Sequence, residues 1–183
     1  MKLWDKNNSV NEKIIEFTVG DDRLNDLYLI KYDVKASISH AKMLYRSNLL
    51  SEIECDKIIN ILNEILSQAE AGELKIEKEF EDMHSKIEYI LTDKLGDIGK
   101  KIHTARSRND QVLVSIQLYL IDELNFIKTE VKSLFDLLIN LAKKNKNIIM
   151  PGYTHMRAAM PSSFGLWFSA YAEILIDDVI SLN

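Results

Sequence analysis

Two prolines and six glycines in 183 residues leave little material for turn-rich β structure, because both residues concentrate in turns and disfavour helix interiors. Their scarcity leans the fold towards all-α. A single cysteine, Cys55, excludes an intramolecular disulfide and fits a reducing compartment; set among apolar helical positions, it reads as a small core residue. No run of about 18 apolar residues is present to span a bilayer. Residues 1–10 carry Lys2, Asp5, Lys6 and two asparagines with no apolar stretch of a secretory signal, so no membrane partner is expected and a cytoplasmic location is the default. The formal charge of -5 argues against a nucleic-acid partner, since phosphate affinity needs clustered Lys and Arg across a face. Four scattered histidines and one cysteine supply no ligand pair at metal spacing. Neither a Gly-rich phosphate loop nor a nucleophile-elbow motif occurs. The expectation is therefore no metal and no cofactor.

What is present is helical periodicity. A 46% hydrophobic, 28% charged composition is that of a globular chain with room for one core, or one core and part of another. Leu27, Ile30, Val34, Ile38, Ala41 and Tyr45 recur by threes and fours between Asp22 and Asn48. Ser51 and Glu54 have the spacing of a capping box ahead of Ile58, Leu62, Ile65 and Ala69, and Gly72 supplies a stop. Met83, Ile87, Ile90 and Leu91 form a third helix closed by Gly96 and Gly99. From Asn109 to Lys146 apolar residues repeat without a Pro or Gly, a helix of roughly 50 to 60 Å at 1.5 Å per residue. That is too long for its own domain to cover, so it must pack on other long helices, in this chain or in another copy. A loop is expected from Pro151 to Pro161, and Phe164 to Leu182 opens another amphipathic helix. This pattern divides the chain into an N-terminal helical domain, 1–108, and the first helices of a long bundle, 109–183.

Two polar segments stand out. Lys100, Lys101, His103, Arg106 and Arg108 fall together just before the long helix, where unpaired N–H groups and two guanidinium forks would suit a carboxylate, with Ser107 and Asn109 as uncharged donors. On charge alone the commoner reading is a solvated basic loop with a helix cap at Ser107 or Asn109. The second segment holds Tyr153, Thr154, His155 and Arg157. A histidine there has the chemistry of an acid or base, although loop histidines more often lie idle at the surface. His84 reads as a helix-surface partner of Glu88 and His40 as an edge residue of the core.

Lys101 to Gln111 (KIHTARSRNDQ) and Met150 to Pro161 (MPGYTHMRAAMP) together resemble the argininosuccinate lyase family of the fumarase and aspartase superfamily. Lesser similarity runs through Lys2 to Trp4, Tyr32 to Leu44 (YDVKASISHAKML) and Glu81 to Glu88 (EDMHSKIE). The resemblance implies reversible β-elimination of argininosuccinate to arginine and fumarate, in arginine biosynthesis, by a homotetramer whose sites collect residues from three subunits. It implies substrate contacts from Ser107, Arg108 and Asn109, a carboxylate contact from Thr154, and proton transfer by His155. Thr18 occupies a position where many members have a substrate-binding serine. Arg157 departs from the family, which usually has Gln there. The family's Ser-rich loop, with its catalytic serine and nearby Lys and Asn, and the carboxylate that orients the histidine belong to a later segment, so this chain alone is expected to be a catalytically incomplete fragment. Two alternatives remain at this level: a non-catalytic helical scaffold derived from the family, and a lyase that releases fumarate from another succinyl substrate.

Overall fold

The computed structural model describes residues 12–182, so the Lys2 to Trp4 similarity lies outside the described residues. The chain is predominantly helical: α1 (Glu12–Val19), α2 (Asp22–Arg46), α3 (Glu52–Glu70), α4 (Met83–Leu95), α5 (Asp97–Lys100), α6 (Arg108–Asn145) and α7 (Phe164–Ser181). A 3-10 turn, Lys101–His103, follows α5. The expected all-α class needs one correction. Two antiparallel strands, β1 (Ile149–Thr154) and β2 (Arg157–Ser163), replace the loop expected between the prolines. Both prolines lie in this ribbon, Pro151 opposite Pro161. A two-stranded ribbon has only edge strands, where a missing N–H costs no ladder bond.

The chain forms two compact units, Met1–Tyr119 and Leu120–Asn183, and the division falls inside α6. The first unit holds the core. Ile30, Val34, Ala41 and Leu44 of α2 meet Cys55, Ile58, Leu62 and Ile65 of α3 and Met83, Ile87 and Leu91 of α4, with Ile102 closing the cluster. Cys55 is buried there, as its apolar neighbours predict. The Ser51 box forms: the Ser51 hydroxyl accepts the Glu54 N–H and the Glu54 carboxylate accepts the Ser51 N–H at 2.9 Å. At the start of α4, Asp82 accepts the Ser85 N–H at 2.7 Å, and Asp26 from α2 accepts the Met83 N–H at 2.9 Å. Two orphan donors of the first turn are thereby satisfied by carboxylates favourably placed at the helix's positive end.

In the second unit α7 starts from a Ser163 cap, whose hydroxyl accepts the Leu166 N–H at 3.1 Å. Gly165 lets it approach α6: a β-carbon there would sit 2.6 Å from the Lys146 Cα. Val131 and Phe135 of α6 line an apolar groove with Leu175 and Val179 of α7. Large apolar residues of both helices stay exposed, among them Phe126, Leu134 and Leu137 on α6 and Leu166, Ile174 and Ile180 on α7. Apolar stripes of this extent on long helices belong against other helices. None of the helices of the described residues is long and apolar enough to cross a membrane.

Gly99 is the most crowded glycine of the first unit, since a β-carbon would fall 2.2 Å from the Leu91 carbonyl oxygen, which is backbone and cannot swing aside. Gly99→Ala is therefore expected to destabilise the chain by about 1–3 kcal/mol or more, through overpacking, in a urea titration.

Candidate functional site

The segment before α6 is built by anchoring nearly every side chain along it. The Lys101 ammonium reaches Glu54 on α3. His103 Nδ1 lies 3.1 Å from Glu88, so Glu88 pairs with His103 and not, as the helical spacing suggested, with His84. Burial and the charge of Arg106 depress the His40 pKa, and the neutral ring donates its Nε2–H to the Thr104 carbonyl at 3.0 Å. Ala105 then takes a φ of 56°, a left-handed conformation uncommon for any residue with a β-carbon. That reversal sends Arg106 inward, where Nη1 donates to Ser37 at 3.0 Å. Burial lowers the pKa of its guanidinium, and the nearby Asp33 carboxylate opposes that shift.

Ser107 caps α6. Its hydroxyl accepts the Asn109 N–H at 3.2 Å, and Asp110 returns the contact by accepting the Ser107 N–H at 2.8 Å. Arg108, the first helical residue, donates to Asp82 at 2.7 Å and lies 3.4 Å from the Ser85 hydroxyl. Both arginines thus have partners within the protein. The exposed polar side chains at this helix start are those of Ser107, Asn109 and Asp110, whose carboxylate is turned back onto the Ser107 N–H. Chemically it can present uncharged donors to an anion beside a guanidinium whose charge Asp82 already balances.

Behind the segment lies a buried polar group that periodicity alone missed. Asp33 is 0% exposed and His84 2%. The His84 Nδ1 approaches Asp33 Oδ2 to 3.1 Å, without the alignment of a hydrogen bond. Gln111 Nε2 lies 3.5 Å from the other Asp33 oxygen, and the buried Ser115 hydroxyl donates to the Gln111 carbonyl at 2.8 Å. One signal pointed here: Asp33 and Ser37 occupy the same helical face as Ile30, Val34 and Ala41, where an unpaired polar side chain would be costly.

The second polar segment becomes the tip of the ribbon. Thr154 pairs with Arg157, leaving His155 and Met156 as a two-residue turn. His155 has φ 54°, and Met156 is 95% exposed. A tight reversal, in place of the expected loop, sets the backbone position of His155. Thr154, His155 and Arg157 are all exposed. Thr18, on α1, is exposed too, and its hydroxyl donates back to the Ile14 carbonyl at 2.9 Å. Ser107, Arg108, Asn109 and Thr18 belong to the first unit, Thr154 and His155 to the second. Among the described residues no cluster of three or more His, Cys, Asp or Glu is arranged to hold a metal.

This architecture is shared with solved lyases. An EDDS lyase variant with bound fumarate matches with a TM-score of 0.74 over 97% of this chain and 35% of its own, at 21% identity, a likeness of fold. A family model described as Lyase matches residues 13–182, and the chain belongs to that family. Within it, the argininosuccinate lyase of Phocaeicola vulgatus is 53% identical over 182 residues, covering 100% of this chain and 41% of the relative. That of Thermotoga neapolitana is 48% identical over 178 residues, or 97% of this chain and 45% of the relative. The chain spans about two fifths of the length of such curated relatives. The resemblance carried by the two motifs is borne out by these matches.

The Lys101 to Glu54 contact gives the segment a pH signature. The ammonium, and then the Ser51 N–H, pull the Glu54 pKa from 4.5 to about 2. Because the folded value lies below the unfolded one, the stabilisation is present above pH 4.5 and is lost as pH falls from there towards 2. Lys101→Met is expected to flatten this part of the acid-unfolding profile, as read by melting temperature against pH, while changing stability little in going from pH 6 to pH 5.

Proposed function

We propose that the protein carrying this chain is an argininosuccinate lyase, splitting argininosuccinate reversibly into arginine and fumarate in arginine biosynthesis. The observation that carries this reading is 53% identity to such an enzyme across the whole of the chain. The chemistry suits the residues. Elimination withdraws a weakly acidic proton beside a carboxylate, so negative charge grows on that carboxylate and must meet donors already in place. Asn109 and Ser107 at the start of α6, and Thr154 on β1, are such donors. Arg108 adds a cation whose Asp82 partner keeps it oriented. His155 serves in proton transfer, and its turn position supports that role because a constrained backbone fixes the point from which the imidazole extends. Thr18 would join the substrate site after releasing its bond to Ile14.

The same reading makes residues 109–183 the first helices of a long bundle after an N-terminal domain, 1–108. It makes the assembly a cytoplasmic homotetramer, in which the exposed apolar stripes of α6 and α7 find partners in other copies. Argininosuccinate, arginine and fumarate are its small-molecule partners.

His155→Asn in the protein that carries this chain is the test. Asparagine tolerates the left-handed backbone, so the ribbon should persist while the proton-transfer group is lost. Fumarate formation, followed by ultraviolet absorbance, is expected to fall roughly 100- to 10,000-fold with little change in melting temperature. Unchanged turnover would remove His155 from the reaction, and an inactive parent enzyme would sink the reading as a whole.

A further inference from the structure

Ser107, Arg108 and Asn109 sit between two residues that turn inward. Arg106, immediately before them, donates to Ser37, which lies one helical turn after Asp33 on α2. Gln111, immediately after the first residues of α6, is 2% exposed and directs its amide nitrogen at Asp33 from 3.5 Å. Both residues also keep a buried polar atom, Arg106 Nε and Gln111 Oε1, without a hydrogen-bond partner among the described residues. Burying such groups is unfavourable, and a well-packed core has no need of them at these positions. A carboxylate with no exposed surface is costlier still, and apolar residues would serve α2 better if only stability mattered.

We propose that Asp33 is a positioning residue for the exposed start of α6: it draws Gln111 inward just after Ser107 to Asn109, while Ser37, one turn further along α2, holds Arg106 just before them, and so fixes the direction in which Ser107 and Asn109 present their donors. His84 completes the arrangement from α4, its ring against the second Asp33 oxygen. Asp82, two residues before His84, holds Arg108, so α4 and α2 clamp the same few residues from two sides. The role of Asp33 is indirect, because its carboxylate is sealed from any ligand. It acts through backbone placement, in the way that residues behind a site orient those that line it.

This inference rests on the lyase reading for its consequence in turnover, but not for its structural content, and two measurements keep the two apart. The first is hydrogen exchange in the free protein that carries this chain, comparing the parent with Asp33→Asn and Gln111→Met. Faster exchange confined to the amides of residues 106–111 is expected. Exchange that accelerates throughout the first unit would mark Asp33 as a general stabiliser, and unchanged exchange would mark it as idle; either overturns the proposal. Gln111→Met preserves volume and removes one contact only, so it remains informative should the Asp33 variant fold poorly.

The second is a double-mutant comparison of kcat/KM on argininosuccinate. Asp33→Asn alone is expected to lower it roughly 10- to 100-fold. In an Asn109→Ala background the same change should cost less than about threefold, because the residue being positioned is gone. Losses that multiply independently would overturn the proposal. A parent enzyme inactive on argininosuccinate would instead remove the functional reading, leaving the exchange result to decide the structural one.

Discussion

A carboxylate at 0% exposure constrains everything packed around it. Asp33 sits one residue from Val34 and three from Ile30, in the middle of the face that α2 turns to the core. A carboxylate cannot be left alone there, and the protein sets an imidazole from α4 and an amide from α6 against its two oxygens. Those two partners come from elements distant in sequence. Meeting the electrostatic requirement of one residue therefore dictates where α6 begins relative to α2 and α4. Apolar packing supplies most of the favourable free energy of the unit, but it is indifferent to small rotations, whereas hydrogen-bonded charge is directional.

The apolar framework was legible in the sequence because it depends on period alone. Ile58, Leu62 and Ile65 announce α3, and Ser51 with Glu54 announces where it starts; both are found as read. The Asp33 cluster was not legible by the same means, since His84 and Glu88 have ideal helical spacing for a surface pair. Glu88 instead meets His103, and His84 turns to the core. Spacing within one helix says which residues share a face, not which neighbouring element claims that face. The polarity of Asp33 and Ser37 on an apolar stripe was the available clue.

The ribbon was misread for a different reason. Its strands are six and seven residues long and bury no residue fully, so no strict alternation of apolar and polar positions marks them, and two prolines argue against strand. His155 makes the reversal despite its φ of 54°, at a position where glycine would be the easier choice. Ala105 makes a similar compromise before α6. Each of the two polar segments singled out by sequence thus contains one residue held in a left-handed conformation. Such conformations persist only where surrounding contacts hold them, which ties the shape of both segments to their hydrogen bonds.

The pairing of Pro151 with Pro161 has a consequence for how the chain behaves among other chains. Neither proline has an N–H, so this opposed pair can only be one that exchanges no hydrogen bonds across the ribbon, and the donors it lacks are those that would have pointed outwards. Each flank of the ribbon consequently carries a gap in the row of groups that an incoming strand would need. An exposed two-stranded ribbon is ordinarily a template for further strands, and here both of its sides are blunted at the same level, so the ribbon that carries His155 can stay exposed without recruiting sheet growth.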